Sequence, residues 1–170
     1  EEDIREGDHS SIACIPNSKI GRAKLLIKEN GIIAGIELAK WIFEYINPSV
    51  KVQIHLKDGD SVKKGDIAFT VEGPSISLLT GERLVLNCMQ RMSAIATKTN
   101  NYVKILQGTK TTVLDTRKTT PGIRILEKWA VKIGGGQNHR FGLYDMIMLK
   151  DNHIDFAGGI EQAITKVKNY

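Results

Sequence analysis

Cysteines and aromatic residues are both scarce in this sequence. Cys14 and Cys88 lie far apart, and neither belongs to a Cys-x-x-Cys pair. Two such residues fit buried thiols in a reducing cytosol better than a disulfide framework. Aromatic residues make up 6% of the chain and are not interleaved with basic ones, as a base-stacking surface would require. We therefore expect neither a disulfide-stapled protein nor a nucleic-acid-binding one.

Long apolar runs and leader signals are missing as well. No stretch reaches transmembrane length and no signal-peptide pattern is present, which predicts a cytoplasmic protein without a membrane span. The chain also lacks an initiator Met and opens at EEDIREGD, which is typical of a loop inside a longer protein. We expect a fragment or a trimmed chain.

Several common binding and catalytic motifs are absent too. There is no G-x-G-x-x-G after a strand, no G-x-x-x-x-G-K-[ST] and no G-x-S-x-G, which argues against a dinucleotide fold, a P-loop and a nucleophile elbow. What the chain has is a soluble globular composition over 170 residues, with 41% hydrophobic and 25% charged residues. Its net charge of +5 is scattered, so the placement of individual cations must indicate the ligand.

The first 95 residues predict an α+β layer of hairpins and helices. Alternating apolar and polar residues predict strands, and apolar residues at three- and four-residue spacing predict helices. In order, the predicted elements are two strands within residues 23–35 that turn at Asn30-Gly31, a helix over 36–46, strands over 50–56 and 67–73, and a long helix over 77–95. The Asn-Gly pair is the strongest short signal for a β-hairpin.

Residues 50–73 admit a second interpretation. Their DG-x-x-V-x-x-GD pattern is similar to the hairpin of lipoyl and biotinyl carrier domains, in which a lysine at a tight turn is modified. No exposed Met-Lys or Asp-Lys tip is present, so a structural hairpin is favoured. The non-enzymatic alternative is a carrier or interaction domain modified at Lys57, Lys63 or Lys64.

Residues 96–170 predict β-loop-α units. The predicted elements are a helix over 97–106, a strand over 111–114, a helix over 123–133, a strand over 145–149 and a helix over 160–168. Repeated units of this kind form a parallel sheet, open or closed into a barrel. A full eight-stranded barrel takes about 250 residues, so we expect an incomplete one. The predicted fold class is α/β plus α+β, with one domain over residues 1–95 and a truncated α/β barrel over residues 96–170.

Cationic residues follow both predicted strands of the second part. DTRK, beginning at Asp115, follows the first strand, and KDNH, beginning at Lys150, follows the second. Because the carboxyl ends of parallel strands meet at one edge of a sheet, we expect both groups on the same rim. A Gly-rich segment brings two more polar residues toward that rim. The candidate site comprises Arg117, Lys118, His139, Arg140 and Lys150.

A site this cationic suits a ligand with several negative groups. Planar Arg forks bind carboxylates or phosphates in a bidentate way, and an anion relieves the repulsion among the cations. One alternative is that aspartates neutralise the cations in structural pairs; the candidates are Asp115, Asp145, Asp151 and Asp155. A metal site is disfavoured, because surrounding cations would repel the ion; its ligands would be His139, Asp151 and His153.

One polar ridge interrupts the long apolar helix predicted over residues 77–95. Arg83, Asn87 and Arg91 recur at i, i+4 and i+8, which places them on one side of the helix.

Four stretches of the chain together resemble one family. EDIREGDHSS near the N-terminus, GERLVLNCMQRMSAIAT (81–97), LDTRKTTPGIR (114–124) and GGGQNHRFGLYDMIMLKDNH (134–153) are similar to quinolinate phosphoribosyltransferase, also called nicotinate-nucleotide pyrophosphorylase (carboxylating). The resemblance covers essentially the whole chain. It implies an N-terminal open-faced sandwich domain followed by an incomplete α/β barrel, assembled as a homodimer or higher homo-oligomer.

The resemblance also implies a reaction and its participants. Quinolinate and 5-phosphoribosyl-1-pyrophosphate, with Mg²⁺, would give nicotinate mononucleotide, pyrophosphate and CO₂ in de novo NAD synthesis. The quinolinate carboxylates would be held by Arg117, Arg140 and Lys150, with His139. Lys118, beside Thr116, would face the substrates at the transfer centre, and Lys118 and Lys150 are the catalytic candidates. Arg83 would reach into the site of the neighbouring subunit.

One departure and one alternative accompany this resemblance. The family's acidic metal and ribose ligands, and its glycine-rich phosphate loops, lie on later barrel strands and are expected beyond residue 170. The donor half of the site is therefore not expected within this chain, and the chain alone is not expected to be sufficient for activity. The alternative function is that of a paralogous phosphoribosyltransferase-like protein, the molybdenum-associated relative, which acts on another aromatic acid.

Overall fold

The structure, a computed structural model, describes residues 2–170. The chain divides into two compact units, one ending at Asn138 and one formed by His139–Tyr170. The first unit contains α1 (His9–Cys14), β1 (Ile20–Leu26), β2 (Gly31–Ile32), α2 (Ile36–Ile46), β3 (Lys51–Ile54), β4 (Ser61–Val62), β5 (Ile67–Pro74), α3 (Ser75–Ile105) and α4 (Arg124–Ile133). The second contains α5 (Asp151–Ala157) and α6 (Ile160–Lys168). The prediction of a mixed α/β fold is confirmed.

A three-stranded antiparallel sheet in the order β1-β5-β3 forms one layer of the first unit. Alternate residues of β5 separate its two faces. Phe69 and Val71 are buried, and the Phe69 ring meets Phe43 of α2 edge-on at 6.4 Å between centroids. On the opposite face Glu72 is exposed and accepts hydrogen bonds from Arg22 of β1. Helices therefore cover one face of the sheet, and the other carries exposed polar residues.

The helix predicted over residues 36–46 is confirmed as α2. Ile36, Ala39 and Phe43 are buried at the predicted spacing. Gly35 at its N-terminus has no side chain to cap the first turn, and Asp58 supplies the cap from the β3–β4 connection. One carboxylate oxygen of Asp58 accepts hydrogen bonds from the backbone N–H groups of Gly35 at 2.6 Å and Ile36 at 2.9 Å. These two hydrogen bonds satisfy backbone donors that a helix end otherwise leaves unpaired.

The predicted division of the central helix into two pieces, 77–95 and 97–106, is wrong. Helix α3 runs without a break through 31 residues, a length of about 46 Å. Its buried stripe continues past the predicted break at three- and four-residue spacing: Leu78, Gly81, Val85, Met89, Met92, Ala96 and Thr99. Polar residues around position 97 therefore lie on the helix without ending it. The predicted domain boundary between residues 95 and 96 falls inside α3 and stays a prediction.

The β-hairpin predicted at Asn30-Gly31 is also wrong. Strand β1 pairs with β5, and β2 pairs with β4. A two-residue hairpin turn of the Asn-Gly type needs positive φ at both residues, and neither residue has one. The segment is tied to α3 instead, because the backbone N–H of Ile32 donates to the Thr97 hydroxyl at 2.9 Å and that of Ala34 donates to Ser93 at 3.0 Å.

The strands predicted over residues 111–114 and 145–149 are not formed as strands. Leu114 makes a single parallel bridge with Gln137, and the backbone N–H of Gln137 donates to Val113 at 2.8 Å. Residues 145–149 have no strand assignment. A parallel strand needs a ladder of hydrogen bonds to a neighbour, and within residues 2–170 neither segment has one. The helices predicted over 123–133 and 160–168 are confirmed as α4 and α6.

Candidate anion-binding site

The segment between Leu114 and α4 carries the first group of predicted site residues. We call residues 115–120 the cationic loop. Thr116 and Lys118 are exposed and Arg117 is half-buried. The backbone N–H of Lys118 donates to the Thr116 hydroxyl at 3.1 Å, so the loop turns tightly at this point. The assignment of these three residues to a substrate site stays a prediction.

Arg117 has an unsatisfied donor. Its Nε atom is buried and has no hydrogen-bond partner among the described residues. Buried donors are nearly always paired in folded proteins, and an unpaired one costs about 1–3 kcal/mol. The described residues therefore leave one strong donor of Arg117 without the partner that a buried N–H normally has.

The first residue of the cationic loop is neutralised by α4. Asp115 forms an ion pair with Lys128, and the two side chains are only 7% and 1% exposed. Among residues 2–170, no ion pair joins an Asp or Glu to Arg117 or Lys118. The alternative in which Asp115 neutralises the cations beside it is therefore not what the structure shows, because its carboxylate is bonded to the buried lysine.

Glu127 holds the other end of the loop. Its carboxylate accepts hydrogen bonds from the Thr120 backbone N–H at 3.0 Å and hydroxyl at 2.9 Å. It also accepts two from Arg91 of α3, at 2.9 Å from Nε and 2.6 Å from Nη2. Burial by itself raises the pKa of Glu127, but the bonds from Arg91 and Thr120 outweigh burial and hold this pKa below its usual value. Glu127 is therefore charged at neutral pH.

Two of the three glycines before residue 137, Gly134 and Gly136, allow close packing against neighbouring helices. A Cβ on Gly134 would lie 2.5 Å from the Ala96 carbonyl oxygen, and one on Gly136 would lie 2.9 Å from the Thr99 side chain. The carbonyl oxygen of Gly134 accepts a hydrogen bond from Asn100 at 3.3 Å. Only glycine allows the backbone to pass this closely. The segment is held against the helix, which determines where Gln137 meets Leu114.

The second unit carries the remaining predicted cations of the barrel part. Arg140 is buried and donates from Nη1 to the Met146 carbonyl at 3.2 Å. Asp145 closes the intervening turn by accepting the backbone N–H groups of Phe141 at 2.7 Å and Gly142 at 2.9 Å. Arg140 is therefore part of an ordered turn. Among the described residues its guanidinium group has one hydrogen-bond acceptor, the Met146 carbonyl oxygen.

Lys150 and His139 belong to the same unit. Lys150 is exposed immediately before α5, and its backbone N–H donates to His153 Nδ1 at 3.1 Å. His139 is half-buried. Among residues 2–170, no ion pair joins an acidic side chain to Arg140 or Lys150. The convergence of these residues with Arg117 and Lys118 on one pocket stays a prediction.

The three residues of the polar ridge on α3 lie in three different environments. Arg83 is exposed. Asn87 lines an apolar groove between α2 and α3. Arg91 is ion-paired with Glu127, and this contact joins α4 to α3. Arg83 remains the candidate for a contact with another subunit.

Glu127 and Lys128 are buried and bonded to the cationic loop, and the sequence did not predict these contacts. A weak signal was present for the glutamate. It lies four residues after Ile123 and three before Ala130, which is the spacing of the buried face of α4. A charged residue at a core-facing position implies a buried partner. Nothing in the sequence identified that partner.

The described part of the chain contains neither a cluster of metal ligands nor a helix that could span a membrane. Residues 2–170 contain no group of three or more His, Cys, Asp or Glu side chains arranged to hold a metal ion. No helix among them combines the length and apolarity needed to cross a bilayer.

The structure is a mixed α/β fold whose loop carries cations without acidic partners among residues 2–170, a combination that suits an anionic ligand. Comparison with known proteins specifies the class further. The family model for the N-terminal domain of quinolinate phosphoribosyl transferase matches residues 8–93, and the model for its C-terminal domain matches residues 95–170. The chain belongs to the quinolinate phosphoribosyltransferase family.

Individual relatives agree with this assignment. The chain is 49% identical over 164 residues to quinolinate phosphoribosyltransferase [decarboxylating] 1b of Nicotiana tabacum, covering 96% of this chain and 46% of that protein. It is 46% identical over 167 residues to the probable nicotinate-nucleotide pyrophosphorylase [carboxylating] of Bacillus subtilis (strain 168), covering 98% and 57%. The crystal structure of NadC from Streptococcus pyogenes matches with 42% identity and a TM-score of 0.94, covering 99% and 60%. The chain thus spans about half the length of the relatives it matches.

Proposed function

We propose that the complete protein transfers the phosphoribosyl group of 5-phosphoribosyl-1-pyrophosphate to quinolinate and decarboxylates the product. The products are nicotinate mononucleotide, pyrophosphate and CO₂, in de novo NAD biosynthesis. The observation that carries the proposal is the cationic loop: Arg117 has a buried Nε without a partner among the described residues, and neither it nor Lys118 is paired with an acid there. The names of the tobacco and Bacillus relatives support the same activity.

The substrates require a cationic site. Quinolinate carries two carboxylates and the ribosyl donor is a polyanion, and charge-assisted bonds to such groups contribute about 1.5–3 kcal/mol each. We assign the quinolinate carboxylates to Arg117, Arg140, Lys150 and His139. Lys118, with Thr116 beside it, faces the transfer centre. Arg140 is buried, and the described residues supply its guanidinium with a single carbonyl acceptor, which fits such a role.

The chemistry is mainly positioning and charge stabilisation. The pyridine nitrogen attacks C1 of the ribose while pyrophosphate leaves with the electron pair of the broken C–O bond, through an oxocarbenium-like sugar. The C–C bond to the 2-carboxylate then breaks. CO₂ leaves, the electron pair stays on the ring carbon beside the ring cation, and a proton replaces the carboxylate. Lys118 and Lys150 are the cations assigned to the developing charges.

The remaining features of the proposal concern architecture and cofactor. We assign residues 96–170 to the first units of an α/β barrel, and the sheet with one helix-covered face to an N-terminal open-faced sandwich. Mg²⁺ is expected with the donor. The described residues do not fit a Mg²⁺ site, since Asp115 is ion-paired with Lys128 and no acidic cluster is present among them. We therefore assign the ion no ligand in residues 2–170. The cytoplasmic localisation stays a prediction.

Arg83 is assigned to a contact between subunits of a homodimer or higher oligomer. It is exposed on α3, while Arg91 on the same ridge is held by Glu127. In this arrangement Arg83 adds a cation to the site of the neighbouring subunit.

The proposal is tested with quinolinate binding and turnover by the complete protein. R117A and R140A are expected to lower quinolinate affinity at least about tenfold, because each removes one or two charge-assisted bonds. K132A, on the exposed side of α4, is the control. Unchanged affinity in both arginine variants would contradict the proposal. Release of CO₂ with quinolinate, and none with nicotinate, separates this activity from that of the molybdenum-associated relative.

A further inference from the structure

Two adjacent residues of α4 reach the two ends of the cationic loop. Lys128 pairs with Asp115, the loop's first residue, and Glu127 accepts two hydrogen bonds from Thr120, its last. Both α4 residues are buried, at 1% and 7% exposure. Adjacent helical residues point about 100° apart, so α4 presents two charged side chains of opposite sign to two separate anchor points.

Burial makes both contacts depend on charge. A buried lysine or glutamate loses its hydration, and only a well-placed partner offsets that loss. Buried ion pairs add little stability compared with apolar residues of the same shape. One end of the loop is held by a buried ion pair and the other by hydrogen bonds to a buried carboxylate, and this pairing of anchors suggests a role in geometry. Arg91 strengthens the arrangement by fixing Glu127 from α3.

The residues between the anchors are those that lack acidic partners. Arg117 and Lys118 lie between Asp115 and Thr120, with the buried Nε of Arg117 unpaired among the described residues. Arg124 adds a bond to the Thr119 hydroxyl at 3.0 Å. A loop held at both ends has less conformational freedom to lose when an anion binds, which raises affinity without any new contact.

We propose that Glu127 and Lys128 are positioning residues that clamp the cationic loop, so that Arg117 and Lys118 are already in place when an anionic substrate arrives. The identity of that substrate, quinolinate, rests on the proposed function. The clamp itself does not, and the experiments below separate the two.

The first experiment measures the clamp without substrate. Hydrogen–deuterium exchange is followed in the complete protein for the peptide covering residues 115–122. E127A removes the acceptor of the Thr120 N–H and K128M removes the partner of Asp115, so both variants are expected to exchange this peptide at least about tenfold faster. K132A is the matched control on the same helix. Unchanged exchange in both E127A and K128M overturns the clamp.

The second experiment separates positioning from stability. K128M removes the cation that is ion-paired with the buried Asp115, and it is expected to lower the melting temperature. The double variant D115N/K128M removes both charges and is expected to recover most of that loss. Its dissociation constant for quinolinate, measured by calorimetry on the complete protein, should nevertheless stay at least about tenfold above wild type, because the unclamped loop must then be ordered when the anion binds.

The outcomes are distinct. Wild-type affinity in the stable double variant overturns the positioning role and leaves a purely structural ion pair. E127Q, which keeps the shape and an acceptor oxygen, should lie between wild type and E127A in both experiments, and an effect equal to that of E127A would contradict the hydrogen-bonding role. Failure of the wild-type protein to bind quinolinate would refute the proposed function, while the exchange experiment would still decide the clamp.

Discussion

Gly134 lies so close to Ala96 of α3 that a Cβ on the glycine would be 2.5 Å from the alanine carbonyl oxygen. The neighbouring Thr99 side chain would be 2.8 Å away. Both obstacles belong to the long helix, and one of them is backbone, which cannot rotate aside. The close approach of Gly134 to α3 brings the segment after α4 back along α3 toward Leu114. A side chain at position 134 would prevent this approach.

G134A is therefore expected to destabilise the protein. Overpacking of a closely packed contact costs about 1–3 kcal/mol, so the free energy of unfolding measured in urea should fall by that amount. K132A, two residues earlier and exposed, serves as the control and should change the free energy by less than about 0.5 kcal/mol. Equal stability of G134A and wild type would show that the segment can move away from α3.

Thr97 and Ile32 provide a second test. The Thr97 hydroxyl accepts the N–H of Ile32 at 2.9 Å and lies 3.3 Å from its carbonyl oxygen. T97V keeps the shape but leaves a part-buried backbone donor unpaired, at a cost of about 1–3 kcal/mol. T97S retains the hydroxyl and is the matched control; thermal or urea unfolding of the three proteins should rank T97V lowest. If T97V and T97S unfold together, the hydroxyl does not hold β2.

The same contact explains why the hairpin could not be predicted from the sequence. Asn30-Gly31 is a strong local signal, but the partner of the Ile32 N–H lies 65 residues away on α3. The helix α2 was predictable because its signal, the spacing of Ile36, Ala39 and Phe43, lies within the element itself. The spacing of apolar residues within an element identifies its buried face. The pairing of strands depends on residues far away in the sequence, and local spacing does not identify them.

The candidate site likewise has one part that the sequence predicts and one part that it does not. The cations after residue 114 are visible in the sequence as excess charge after a predicted strand, and in the structure Arg117 and Lys118 have no acidic partner among the described residues. The buried supports of that loop were not predictable. Lys128 resembles any helical surface lysine, and its burial depends on Asp115, which lies 13 residues earlier.

Arg91 and Glu127 give a prediction about acid stability. The hydrogen bonds from Arg91 and Thr120 hold the pKa of Glu127 below 4.5, the value of an unperturbed glutamate, although burial opposes this. A group whose folded-state pKa is lowered stabilises the protein fully above its unfolded-state pKa, and the contribution is lost as the pH falls through the folded-state value. The stability that Glu127 provides should thus be constant from pH 7 down to about pH 5 and should decline below that.

The measurement compares the free energy of unfolding of wild type and E127Q in urea between pH 7 and pH 3. The difference between them is expected to be constant near neutrality and to shrink below about pH 4.5, because protonation of Glu127 makes the two proteins alike. E161Q, on an exposed position of α6, is the control and should show little difference from wild type at neutral pH. A wild-type advantage over E127Q that persists undiminished to pH 3 would mean that the carboxylate charge is not what joins α3, α4 and the cationic loop.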